Sequence, residues 1–126
     1  MKKGQKKWRP LESDFTDESL ATFFATQHWK KVRYDQFQHK WYVREGRQWK
    51  EDEAQVRGLL VLFLHSWSYE AMLSPHIDRT TYRRLSTVLE TMRKQEAVLS
   101  MARWMLTPGN YASKEQPKQT TKRRAK

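Results

Sequence analysis

The chain contains no cysteine. Disulfide bridges and thiolate metal sites are therefore excluded. Only four glycines punctuate its 126 residues, and none is spaced as a phosphate-binding loop. No apolar run approaches the ~20 residues of a membrane-spanning helix. The basic N-terminus lacks the apolar segment of a secretory signal, so no leader is expected and the protein is placed in the cytoplasm. The histidines, His28, His39, His65 and His76, never stand three to five residues apart, so no zinc pattern forms and no metal is expected. Glu51-Asp52-Glu53 is read as a helix start, where acids cap and match the dipole, rather than as a divalent-metal cluster. No serine, histidine and aspartate arrangement stands out. An enzyme is not expected, and no cofactor is implied.

What the chain has is charge and rings. The net charge is +11. Most of it sits at the two ends, in Lys2, Lys3, Lys6, Lys7 and Arg9, and in Lys114, Lys118, Lys122, Arg123, Arg124 and Lys126. Residues 10–111 are close to neutral. The reading is one near-neutral domain over residues 14–111 between a basic arm, residues 1–13, and a basic tail, residues 112–126. Such ends are expected to be disordered, because they repel themselves and bury nothing. They suit attraction to a phosphate backbone through counterion release; solubility explains them as well. Six tryptophans, five tyrosines and five phenylalanines are many for so polar a chain. They imply a core with some aromatic surface.

A first helix is predicted from Thr16, a good N-cap with Asp17 and Glu18 behind it. Leu20, Phe23 and Phe24 follow helical spacing, and the helix should end between His28 and Lys31. Residues 32–53 are the only stretch that reads as β-structure. Trp41-Tyr42-Val43 is a strand-forming run. Glu45-Gly46 is the expected two-residue turn, with Arg47-Gln48-Trp49-Lys50 returning. Val32–Gln36 supplies a third strand. A second helix follows, capped by Asp52 with Gln55 three residues on, and running to about Met72. Its segment Leu59–Leu64 is apolar all round, which predicts the most buried helix. Gly58 inside it is a weak point or a place of close packing. Ser74-Pro75 breaks the chain. The third helix starts there or at Asp78, with Tyr82, Leu85, Val88, Leu89 and Met92 as its apolar stripe. A bend is expected at Arg93-Lys94-Gln95, then a fourth helix through Leu106, stopped by Thr107-Pro108-Gly109-Asn110. The fold class is mainly α within α+β: four helices with a two- to three-stranded antiparallel meander between the first and second.

The meander interleaves Tyr34, Phe37, Trp41, Tyr42 and Trp49 with Arg33, Lys40, Arg44, Arg47 and Lys50. Rings beside cations on a sheet can stack the bases of a single strand and neutralise its phosphates. One face of a small sheet must also cover helices, which claims some of the rings for the core. The nucleic-acid-binding residues predicted from sequence are Lys2, Lys3, Lys6, Lys7, Arg9, Lys40, Arg44, Arg47, Lys50, Lys122, Arg123, Arg124 and Lys126. Arg79, Arg83 and Arg84 form a second patch, which a solvated helix face would explain equally well.

Arg33-Tyr34, Lys40-Trp41-Tyr42-Val43, the Glu45-Gly46 turn and Arg47 to Glu53 occur in a familiar order. Over roughly residues 17–107 the chain resembles the N-terminal helicase-associated domain of phage, plasmid and poxvirus-type primase-helicases, with Glu45 where that family usually has aspartate. The resemblance implies a role in replicating a mobile element inside a bacterial host, with association to the nucleoid through DNA. It carries no catalytic or base-reading residues over, and it implies that Trp41 and Trp49 form the ridge that fastens the sheet to the second helix. The family continues into a ring-forming ATPase, whereas this chain continues into a basic tail, so ATPase activity is not implied. Two expectations follow: a stand-alone DNA-binding accessory protein that takes single-stranded or forked DNA, or a non-catalytic adaptor or split subunit that binds a replicative helicase or primase without binding DNA.

Overall fold

In a computed structural model, residues 9–108 are described. The fold is α+β and mainly helical. Its elements are α1 (Asp17–His28), β1 (Val32–Asp35), β2 (Lys40–Glu45), β3 (Gln48–Glu51), α2 (Glu53–Leu73), α3 (Arg79–Leu89) and α4 (Met92–Met105), preceded by a short 3-10 turn, Glu12–Phe15. None of the described helices is long and apolar enough to cross a membrane. The basic residues Lys2, Lys3, Lys6, Lys7, Lys122, Arg123, Arg124 and Lys126 lie outside the described residues.

Each helix begins on a side-chain cap. Thr16 Oγ1 accepts from the Ser19 amide, Asp52 Oδ1 from Gln55, Asp78 Oδ1 from Thr81 and Thr91 Oγ1 from Lys94. Such caps satisfy amides that have no partner inside the helix. The third helix thus starts at Asp78, with Pro75 left in the connecting turn. Thr91 moves the last break forward from the expected Arg93–Gln95, and Met92 opens α4 instead of closing α3. Lys94 lies inside α4, where its Nζ donates to Phe15 O at 2.9 Å and to Asp17 Oδ1 at 2.7 Å. That reach ties α4 to the start of α1, and the two helices pack along each other.

The sheet runs β1-β2-β3, antiparallel throughout. Its second turn is shifted by one residue from the sequence reading: Glu45 pairs with Gln48, leaving Gly46-Arg47 as the loop. Gly46 takes a φ of 64°, which only glycine adopts without strain, and this places the glycine first in the turn. Alternation then sorts the strands. Val32, Tyr34, Trp41 and Val43 are buried against the helices, with α2 lying across β2. The sheet is held at the far end by the Tyr34 amide, which donates to Leu106 O at 3.0 Å.

The core centres on Trp67 of α2. Phe15, Phe23 and Phe63 surround its ring at centroid distances of 5.1, 4.9 and 5.9 Å. Leu20, Phe24, Leu60, Leu99 and Val98 fill the space between α1, α2 and α4. Packing also reaches back before residue 14. Pro10 is fully buried, its carbonyl accepts from Ser74 Oγ, and Arg9 pairs with Glu70 at 2.9 Å. Arg9 and Pro10, read from sequence as part of the arm, are therefore held against the domain by contacts across sequence.

Two features of α2 depart from expectation. Although apolar all round, it is covered on one side only: Leu62 is 68% exposed and Tyr69 57%. Gly58 is not packed closely either, since a Cβ there would meet nothing within 4 Å. A glycine in an open helix position costs about 0.5–1 kcal/mol relative to alanine.

His28 ends α1 with its Nδ1 3.0 Å from Phe24 O and its ring against the Phe24 ring. Burial holds its pKa below the ordinary 6.5; the Phe24 carbonyl opposes this and Lys31 adds to it. A proton is therefore taken up more readily by the unfolded chain. The linked stability is fully present above the ordinary value and is lost as pH falls through it. The melting temperature is expected to drop between about pH 7 and about pH 5, and His28→Gln to flatten that drop in thermal melts. An identical pH profile in the variant would remove His28 as the cause.

Candidate nucleic-acid interface

The face of the sheet turned away from the helices carries Arg33, Tyr42, Arg44 and Trp49, because these residues alternate with the buried ones along each strand. The cross-strand partners are Arg33 with Tyr42 and Arg44 with Trp49. Trp49 is therefore not the ridge expected from sequence. It is half-buried on the outer face beneath the Arg33 guanidinium, whose central carbon lies 3.9 Å from the ring centroid. Trp41 alone fastens the sheet inward, edge-on to Tyr34 at 4.9 Å. Period-two alternation explains the difference: a two-residue turn at either position sets Trp49 opposite Tyr42 or Arg44, both outward, so Trp41 and Trp49 fall on opposite faces.

Beside this face the β1–β2 loop projects Phe37, which is 94% exposed. Its position is built by local bonds. Asp35 Oδ1 accepts from the amides of Phe37 and Gln38 at 2.8 and 3.1 Å, and the His39 amide closes onto Asp35 O at 2.8 Å. His39 takes a φ of 57°, a conformation that costs a side-chain-bearing residue about 1–2 kcal/mol. Tyr42 Oη donates to Gln38 Oε1 at 3.0 Å and braces the loop from the sheet. The result is a groove of about 480 Å³ lined by Arg33, Tyr34, Asp35, Gln36, Phe37, Tyr42, Trp49, Thr107 and Pro108. It combines ring faces, one guanidinium, one side-chain amide and one carboxylate, that of Asp35, whose Oδ1 is engaged by the loop amides.

The sequence-predicted cations are spread differently from their order in the chain. Lys40 and Arg44 lie on the outer face. Lys40 reaches Glu51 at 3.4 Å, and Arg44 Nε donates to Gly46 O. Lys50 is across from Val43 on the other face and reaches Glu45 at 3.4 Å. Such exposed pairs contribute little to stability and leave both lysines able to exchange partners. Arg47 is exposed in the turn. Arg79, Arg83 and Arg84 are on α3, which packs chiefly on α2, so they form a separate patch; Arg84 is tied to Glu12. Arg9 is engaged with Glu70. Sequence reading counted Arg33 and Phe37 among the meander's cations and rings but left both out of the predicted contacts, passed over Gln36, and did not single out the tip position of Phe37. Asp35 two residues before Phe37 was the available signal, since aspartate favours such turns.

Among the described residues no group of three or more histidines and acids is placed to hold a metal ion. No family model, curated protein or solved structure matches the chain.

Proposed function

We propose that the chain is a DNA-binding accessory protein of phage or plasmid replication, engaging single-stranded or forked DNA through the outer face of its sheet. The observation that carries this reading is the groove, where exposed Phe37 stands beside Tyr42, Trp49 and the Arg33 guanidinium. Unpaired bases stack on such rings and a guanidinium beside them meets the phosphate. A duplex keeps its bases stacked inside and offers no free base face for these rings. Lys40, Arg44 and Arg47 border the strand path, and the basic ends add attraction that does not depend on sequence. The replication setting rests on the resemblance carried by Arg33-Tyr34, Lys40 to Val43 and Arg47 to Glu53. No catalytic step is assigned to the chain.

Titration of labelled single-stranded, duplex and forked DNA by the full chain tests the reading. Affinity should be highest where a single strand is present. It should fall about tenfold or more between about 50 and about 200 mM salt. Removing residues 1–8 and 109–126 should weaken binding and flatten that salt dependence. Failure of the full chain to bind any of the three at the lower salt would sink the proposal and leave the adaptor reading in its place.

A further inference from the structure

The outer face of α2 is made of Gly58, Val61, Leu62, His65, Tyr69 and Met72, which recur at three- and four-residue intervals and so share one side of the helix. Val61, Leu62, Tyr69 and Met72 are 44 to 68% exposed. The charged residues of the helix, Glu53, Arg57 and Glu70, all turn away from this side. Arg57 pairs with Glu53 and Glu96, and Glu70 with Arg9. In a chain with 31% charged residues, a face of about four turns without a formal charge marks an interaction surface.

The pattern along this face identifies its partner. Reversing the helix about His65 sets Gly58 against Met72, Val61 against Tyr69 and His65 against its own copy. At the first two steps a smaller side chain meets a larger one, as close helix packing requires. Gly58, which nothing in its own chain approaches, then has a function: it admits the Met72 side chain of the facing helix. The basic ends of the chain carry few apolar side chains to lay on this face. We propose that α2 pairs antiparallel with α2 of a second copy, about a two-fold axis at His65. Centred on His65, two helices ending at Leu73 overlap over residues 57–73, about 24 Å, and each is about 10 Å across. Two such faces bury at most about 1,000 Å², at the lower limit of specific interfaces. The dimer is accordingly weak and concentration-dependent, and it leaves the outer sheet face uncovered.

Sedimentation of the full chain without DNA tests the pairing, independently of any nucleic-acid role. A reversible monomer–dimer equilibrium in the micromolar range is expected. Leu62→Glu and Tyr69→Glu should each raise the dissociation constant at least about tenfold with unchanged circular dichroism, since both positions are exposed. The absence of native cysteine permits a direct test of geometry. His65→Cys should cross-link to itself under mild oxidation. A mixture of Gly58→Cys and Met72→Cys proteins should give the mixed dimer faster than either alone. A Thr80→Cys control, placed on α3, should cross-link slowly. A chain that stays monomeric across the micromolar range would overturn the proposal. So would a His65→Cys protein that cross-links no faster than the control.

Discussion

Replacing Phe37 with alanine is expected to lower affinity for single-stranded DNA about 5- to 100-fold, the worth of one stacked base, while the melting temperature stays where it is. Both halves follow from the geometry. The ring is 94% exposed, so folding gains almost nothing from it. The loop that presents it is held by Asp35 Oδ1 and the His39 amide, neither of which touches the Phe37 side chain. The backbone that carries the ring is thus held and the ring is unburied, so binding does not have to order the loop before a base can stack. Phe37→Trp should restore affinity, because the face of the ring and not its packing is what a base meets. Fluorescence anisotropy with a short oligonucleotide reads both variants. An alanine variant that binds as tightly as the parent would move the contact off the loop.

Trp41→Ala and Trp49→Ala should separate just as sharply, although the residues are eight apart on neighbouring strands. Trp41 is 3% exposed and packs edge-on to Tyr34, so its loss opens a cavity between sheet and α2 and costs about 3–5 kcal/mol. That is a large part of the ~5–15 kcal/mol that keeps a domain folded. Trp49 supports the Arg33 guanidinium from the solvent side; its loss costs about 1 kcal/mol and withdraws a wall of the groove. Urea titration ranks the stabilities and the oligonucleotide assay ranks the affinities. Equal destabilisation by the two substitutions would make Trp49 a second anchor after all.

The difference between these tryptophans shows how far the sequence could be read. Caps were legible because they act within three residues: Thr16, Asp52 and Asp78 announce α1, α2 and α3. Gly46 marked the hairpin, since a positive φ needs it. The place of the turn was not legible: it could hold Glu45-Gly46 or Gly46-Arg47, which set Trp49 opposite Tyr42 or Arg44. Both partners face outward, so alternation alone already separates Trp49 from Trp41. Long-range bonds were equally hidden. Arg9 read as a free cation until Glu70, far along the chain, met it. Lys94 read as a breaker until Phe15 O and Asp17 gave its ammonium a destination. Apolar content was the most misleading signal: Leu59 to Leu64 predicted burial on every side, yet the inward faces of α1, α3 and the sheet suffice to cover only half of α2. The groove itself arises from a loop, and periodicity is silent about loops.

The bond from the Tyr34 amide to Leu106 O has a consequence for solubility. A three-stranded sheet has two margins, and each unpaired margin is a template on which another extended chain can grow. On the β1 margin, the end of α4 occupies a donor that a fourth strand would use. On the other margin β3 is four residues long and bears Lys50 and Glu51, so an incoming strand meets charge before it can extend. The meander thereby resists cross-β growth while keeping its broad outer face open to solvent. Recognition is directed to side chains on that face, and backbone strand addition at the rim is discouraged.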